Sequence, residues 1–165
     1  MLPLRQLIPP LTIHAADGRT VRALDFKQNK NLIIVFLHSD CSRCEDFLRQ
    51  LSANASVWKE NEAVVLAAAL AQLSRVLTDA LHESVIVGVD PSGRAATAYL
   101  GKEALAPTGL ATLGIFQTDR YGELAARWNV TSDHNFPKVE DIATSLELSE
   151  MSCDACGAPI WPAED

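Results

Sequence analysis

Seven consecutive positions, Asn31-Leu-Ile-Ile-Val-Phe-Leu37, restrict the fold more than any other stretch of the chain. They are rich in β-branched residues and show no alternation of polar with apolar side chains. A strand with one wet face alternates, so this one is read as buried on both faces, which requires layers above and below its sheet. Directly beyond it stands Cys41-Ser-Arg-Cys44. From there apolar residues recur at Cys44, Phe47, Leu48, Leu51 and Trp58, the spacing of an amphipathic helix.

The rest of the chain is read as follows. Residues 11–24 carry alternating apolar positions around Asp17-Gly18, which predicts a hairpin. Residues 63–70 form a second buried strand. Residues 71–83 form a helix with Leu73, Val76, Leu77, Ala80 and Leu81 on one face, and residues 84–89 a third strand. A short helix follows at 94–100, then strands at 110–118 and 123–128 joined by the Asp119-Arg-Tyr-Gly122 turn. The stretch 129–136 is polar and reads as loop. Pro137 opens a last helix with Val139, Ile142, Ala143 and Leu146 inward. Strands alternating with helices, followed by a hairpin, give an α/β fold with a mixed central sheet and helices on both faces.

With 165 residues, one domain over 1–151 and a short tail over 152–165 account for the chain. The formal charge of -7 disfavours nucleic acid and anionic membrane as partners. No segment approaches the roughly 20 apolar residues of a spanning helix, and the N-terminus lacks a basic region followed by an uninterrupted apolar one. A cytoplasmic location is expected. In that compartment two Cys-x-x-Cys pairs point to redox or metal chemistry rather than to structural cross-links.

Four segments in order, Ala16-Asp-Gly-Arg-Thr-Val-Arg-Ala-Leu-Asp-Phe26, Leu32-Ile-Ile-Val-Phe36, Cys41-Ser-Arg-Cys44 and Asp119-Arg-Tyr-Gly-Glu-Leu124, resemble the redoxin branch of the thioredoxin superfamily over roughly residues 9–148. That branch includes peroxiredoxin-like proteins and bacterial thiol-disulfide oxidoreductases. The resemblance implies a thioredoxin-like three-layer sandwich with a mixed central sheet, an N-terminal β-hairpin and a short Cys-containing tail. It also implies a thiol oxidoreductase acting on a protein disulfide or a hydroperoxide. The partner would be a thioredoxin-like electron donor or the disulfide substrate itself, and no cofactor is required. The chain departs from both main patterns. Three and seven residues before Cys41, where typical peroxiredoxins carry Thr and Pro, stand His38 and Ile34, and Ala111-Thr112-Leu113 lacks the proline that thioredoxins place opposite their cysteines.

Within the first pair, a helix starting near Ser42 puts Cys41 at its amino end, beside free backbone N–H groups that lower a thiol pKa from ~8.5 toward ~7. Arg43 adds positive charge nearby, and Asp40 opposes both effects. Cys44, on the apolar face, is the buried resolving thiol. His38 is a candidate for tuning or protonating Cys41, against the plainer reading of a packing residue at a strand end. Thr112 is either a contact from the facing strand or an ordinary strand residue. Trp58 is expected to pack, and Asp25-Phe26 to close the N-terminal connection. The strand context favours redox chemistry over a metal site at this pair alone.

The second pair, Cys153-Asp-Ala-Cys156 followed by Gly157, resembles one knuckle of a zinc ribbon. Structural zinc takes four ligands. The missing two would come from a second copy across a homodimer, from His134, or from the first pair. Two other readings stand beside zinc: a second redox pair that exchanges electrons with Cys41 and Cys44, and a tail whose cysteines hold nothing. Trp161 between Pro159 and Pro162 suggests that the tail docks. A function of another class follows from the zinc reading, a redox-inactive or sensing scaffold that binds zinc through Cys153 and Cys156, across a dimer.

Overall fold

A computed structural model describes residues 1–106, 109–110, 112–130 and 134–150. The hairpin of β1 (Thr12–Ala15) and β2 (Thr20–Arg22) turns at Gly18, whose φ of 88° suits a residue without a side chain. A single helical turn, Ala23–Phe26, then leads to the core. It is tied by the Asp25 carboxylate, which accepts the Arg22 backbone N–H at 2.9 Å and its guanidinium at 2.7 Å, so Asp25-Phe26 closes this connection as expected. Next come β3 (Asn31–Leu37), α1 (Ser42–Ala53), α2 (Ala55–Glu60), β4 (Ala63–Ala69), α3 (Arg75–Asp79), β5 (Val85–Val89) and α4 (Arg94–Leu100). The ribbon of β6 (Leu105–Ala106) and β7 (Gly109–Leu110), β8 (Leu113–Thr118), β9 (Leu124–Val130) and α5 (Val139–Glu150) complete the order.

Seven strands form one mixed sheet in the order β2-β1-β5-β4-β3-β8-β9. β3, β4 and β5 run parallel, and β8 and β9 return antiparallel beside β3. Every residue of β3 and β4 is buried, as a central strand covered on both faces must be. The register identifies the two covers. Phe116 pairs with Ile34 and Gly114 with Phe36, so these four share one face, and there Phe36 and Phe116 pack on Tyr99 of α4 at 5.3 and 5.1 Å between ring centroids. The neighbouring Gln117, on the opposite face, donates to Ser149 Oγ of α5 at 3.2 Å. Helices therefore flank the sheet on both sides, and the three-layer α/β expectation holds. Tyr99, fully buried, donates its hydroxyl to Pro9 O at 2.8 Å. Burial holds that hydroxyl well above its ordinary pKa, which keeps it a neutral donor.

Five sequence expectations shift. The one helix read across Cys44 to Trp58 is two, α1 ending at Ala53 and α2 starting at Ala55. β9 runs on to Val130, into the stretch read as loop. The helix expected over 71–83 contracts to α3, Arg75–Asp79. Ser74 is extended rather than helical, and the Ala80 N–H bonds back only three residues, to Leu77 O. Leu73 and Leu77 are buried, whereas Ala80 is exposed. Leu110 leaves the strand assigned to 110–118 and pairs with Leu105 instead. The last helix begins at Val139 rather than Pro137, with Val139, Ile142 and Leu146 buried and Ala143 half-buried. Among the described residues, no helix is long and apolar enough to cross a membrane. The tail 152–165, with Cys153, Cys156 and Trp161, lies outside the described residues.

Candidate active site

β3 delivers the site. Its buried run ends at Leu37, and the chain emerges through half-buried His38 and exposed Asp40 to Cys41. Cys41 has the extended backbone of a helix N-cap, with φ -146° and ψ 105°. Its Sγ accepts the backbone N–H of Cys44 at 3.1 Å, which satisfies one of the four free donors at the start of α1. The sulfur thus takes the place of the usual capping oxygen. Its partner on α1 is fully buried in the stripe of Cys44, Phe47, Leu48 and Leu51. The two cysteines form a disulfide with Cα atoms 5.2 Å apart, half-buried Cys41 being the outer member. Arg43 is exposed on the first turn. Both N–H alignment and helix dipole favour negative charge on Cys41 Sγ once the disulfide is reduced.

A second histidine enters from far along the chain. His134 Nε2 lies 3.3 Å from His38 Nδ1, their rings 5.4 Å apart and inclined at 69°. The backbone of His134 sits at φ 51°, a left-handed conformation uncommon outside glycine. Two residues on, Phe136 stacks on Phe47 of α1 at 4.3 Å with planes 10° apart. That stack pins the segment before α5 against the helix that carries Cys44. As a result Nδ1 or Nε2 of His38 and His134 and the sulfurs of Cys41 and Cys44 all fall within 4.8 Å of one another. Two sulfurs and two imidazoles are a metal-ligating donor set as well as a redox one.

The structure brings together His38, Cys41 and Cys44 from the sequence reading and adds His134, which that reading placed in a polar loop and linked only to the tail. Its sole local signal is a histidine just ahead of Phe136-Pro137, where a loop meets the last helix. Thr112 is half-buried and stands two residues ahead of Gly114, the partner of Phe36. Trp58 packs as expected, fully buried, and donates Nε1–H to Leu51 O at 2.6 Å.

No protein-family profile and no curated protein matches the chain by sequence. Its fold does match solved structures. The peroxidoxin BcpB of Mycobacterium tuberculosis superposes with a TM-score of 0.75 at 10% identity, covering 90% of this chain and 98% of that one. The reduced 2-Cys peroxiredoxin of Plasmodium vivax gives 0.72 at 11%, with 89% and 96% covered. A putative thiol:disulfide interchange protein, DsbE from Chlorobium tepidum, gives 0.64 at 16%, with 88% and 99% covered. The fold is shared with these peroxiredoxin and thiol:disulfide interchange structures, as the resemblance implied.

Proposed function

We propose that the protein is a thiol-disulfide oxidoreductase that reduces a protein disulfide through Cys41 and Cys44. The observation that carries this reading is the capping sulfur: half-buried Cys41 holds the N–H of Cys44 at the amino end of α1, and its disulfide partner lies buried directly behind it. In the reduced protein the Cys41 thiolate attacks one sulfur of the substrate disulfide. A mixed disulfide forms and the other substrate sulfur leaves as a thiolate. Cys44 then loses its proton and attacks Cys41 Sγ, releasing the second substrate thiol and closing Cys41–Cys44. The two substrate thiolates are protonated by the proton from Cys44 and by one from solvent, which took up the Cys41 proton when that thiol ionised. A thioredoxin-like dithiol donor returns the pair to the reduced state. Arg43 and His38 are each assigned an auxiliary role in favouring the Cys41 thiolate, against the negative charge of the adjacent Asp40.

A protein disulfide suits this geometry better than a hydroperoxide. The resolving sulfur sits three residues from the attacking one, and the position three before Cys41 holds His38, whose ring faces His134 rather than a bare pocket. The test is insulin-disulfide and peroxide turnover beside the single serine variants. Cys41→Ser should abolish insulin reduction. Cys44→Ser should trap a covalent mixed disulfide at Cys41, visible as a mass increment that a reductant removes. Cys41-independent turnover, or a Cys41 thiol pKa of about 8.5 or above, would remove the case. Zinc at about half an equivalent per chain, with no Cys41-dependent turnover, would favour the dimeric scaffold built on Cys153 and Cys156.

A further inference from the structure

We propose that His38, Cys41, Cys44 and His134 form a tetrahedral zinc site in the reduced protein, so that the dithiol is either oxidised and metal-free or reduced and metal-bound. The proposal uses the two thiols of the function above but does not depend on turnover. Four donors of the types that zinc prefers, two sulfurs and two imidazole nitrogens, lie within 4.8 Å of one another. The spacing of the histidines is the sharpest part of the argument. With Zn–N of about 2.0–2.1 Å, two nitrogens on a tetrahedral ion stand roughly 3.3–3.4 Å apart. His134 Nε2 and His38 Nδ1 stand 3.3 Å apart. They therefore span one edge of the coordination polyhedron before any ion arrives. Without metal, that distance needs one ring to donate N–H to the other. With metal, both lone pairs point at the ion.

The sulfur edge is the part that must change. With Zn–S of about 2.3 Å the two thiolates stand roughly 3.8 Å apart, so a disulfide excludes the ion and reduction opens its place. Local structure holds the donors for this purpose. Cys41 is fixed as the cap of α1, Cys44 by burial one turn on, and His134 by a left-handed backbone beside the Phe47–Phe136 stack. His134 stands 96 residues along the chain from His38, so the ion would tie the segment before α5 to the β3–α1 junction. The exchange is balanced as follows. A dithiol reductant converts Cys41–Cys44 to two thiols and becomes a disulfide. Zinc then displaces their two protons into solvent. In reverse, an oxidising disulfide takes the two electrons, two protons return to make it a dithiol, Cys41–Cys44 closes and zinc leaves.

The tail cysteines would confuse a simple zinc count, so the test uses the full chain carrying Cys153→Ser and Cys156→Ser. This protein is reduced anaerobically with a phosphine, and zinc chloride is the probe. About one zinc per chain should bind the reduced form and none the oxidised form, and Co(II) in its place should give the intense visible bands of a tetrahedral thiolate complex. His134→Ala and His38→Ala should each weaken zinc by more than about tenfold, since losing even an outer-shell partner weakens a site by that much. Folding is controlled by circular dichroism. His134→Cys, which restores a ligand, should recover binding. No zinc on the reduced protein overturns the site, and so does zinc that is indifferent to both histidines or that binds the oxidised form equally. Cys41-dependent turnover without zinc uptake overturns this site and leaves the oxidoreductase standing. Zinc uptake without turnover upholds the site and sinks the oxidoreductase.

Discussion

At the residue scale, Trp58 shows how much of α1 and α2 hangs on a single side chain. Its indole is fully buried and its Nε1–H reaches Leu51 O at 2.6 Å, bridging the end of one helix to the next. Leu51 O receives only one other described donor, the N–H of Asn54 at 3.3 Å. Trp58→Phe removes the shorter bond and opens a void where the larger ring sat. It should lower stability by about 1–3 kcal/mol, read from urea unfolding, with the Cys41–Cys44 pair unaltered. A change within experimental error would mean that the bond and the packing are replaceable. The role of Trp58 was readable from its place on the stripe that begins at Cys44. The role of His134 was not. Nothing local distinguishes it from any loop histidine, because its meaning comes from Phe136 stacking on Phe47, a contact between positions 89 residues apart in the chain, seen only once the fold is closed.

At the element scale, the joint between β1 and β5 attaches the N-terminal hairpin to the core. Ala15 pairs with Gly88 there. A Cβ on Gly88 would meet Ile13 Cβ at 2.9 Å and the backbone carbonyl carbon and oxygen of His14 at 3.0 Å. Backbone cannot step aside without breaking the pairing. Gly114 is also crowded, but its nearest neighbours are the ends of side chains, Leu100 Cδ2 at 2.7 Å and Phe116 Cε2 at 3.2 Å, and these can turn away. Gly88→Ala should therefore destabilise by about 1–3 kcal/mol and more than Gly114→Ala, with hydrogen exchange accelerating in β1 and β2. Equal effects from the two substitutions would contradict this. The elements themselves were unevenly readable. β3 and α4 stand where the apolar runs put them, because each is decided by dense burial over its own length. α3 was overlong, because its apolar spacing continued past the point where Ser84 and His82 take over. The His82 N–H donates to Ser52 Oγ at 2.7 Å and the Ser84 N–H to His82 Nδ1 at 3.1 Å, which diverts the chain into β5. Side-chain capping of that kind leaves no trace in a hydrophobic pattern.

At the scale of the whole molecule, two carboxylates give stability opposite dependences on pH. Burial pushes the Asp119 carboxyl above the usual 3.8, despite the N–H groups of Tyr121 and Glu123 that it accepts at 2.9 Å, and the charge of Glu123 adds to the rise. Its folded form holds its proton more tightly than the unfolded chain does. The resulting stabilisation is complete below 3.8 and is lost as pH rises through the higher folded value. Asp25 is the reverse. Its partial burial raises its pKa, but the hydrogen bonds and charge of Arg22 outweigh that and hold it below 3.8. Its contribution is present above 3.8 and is lost as pH falls through the lower folded value. Asp119→Asn keeps an acceptor for both N–H groups and removes only the titration. The stability of the native protein relative to this variant should therefore be greatest near about pH 3 and fall toward about pH 7, read from paired urea melts. For Asp25→Asn the same comparison should run the other way, with the native protein's advantage appearing only as the acid range is left. If both pairs of curves stay parallel across that range, the two carboxyls titrate alike in the folded and unfolded chains, and the turn at 119–122 and the cap at 22–25 are not where this fold meets acid.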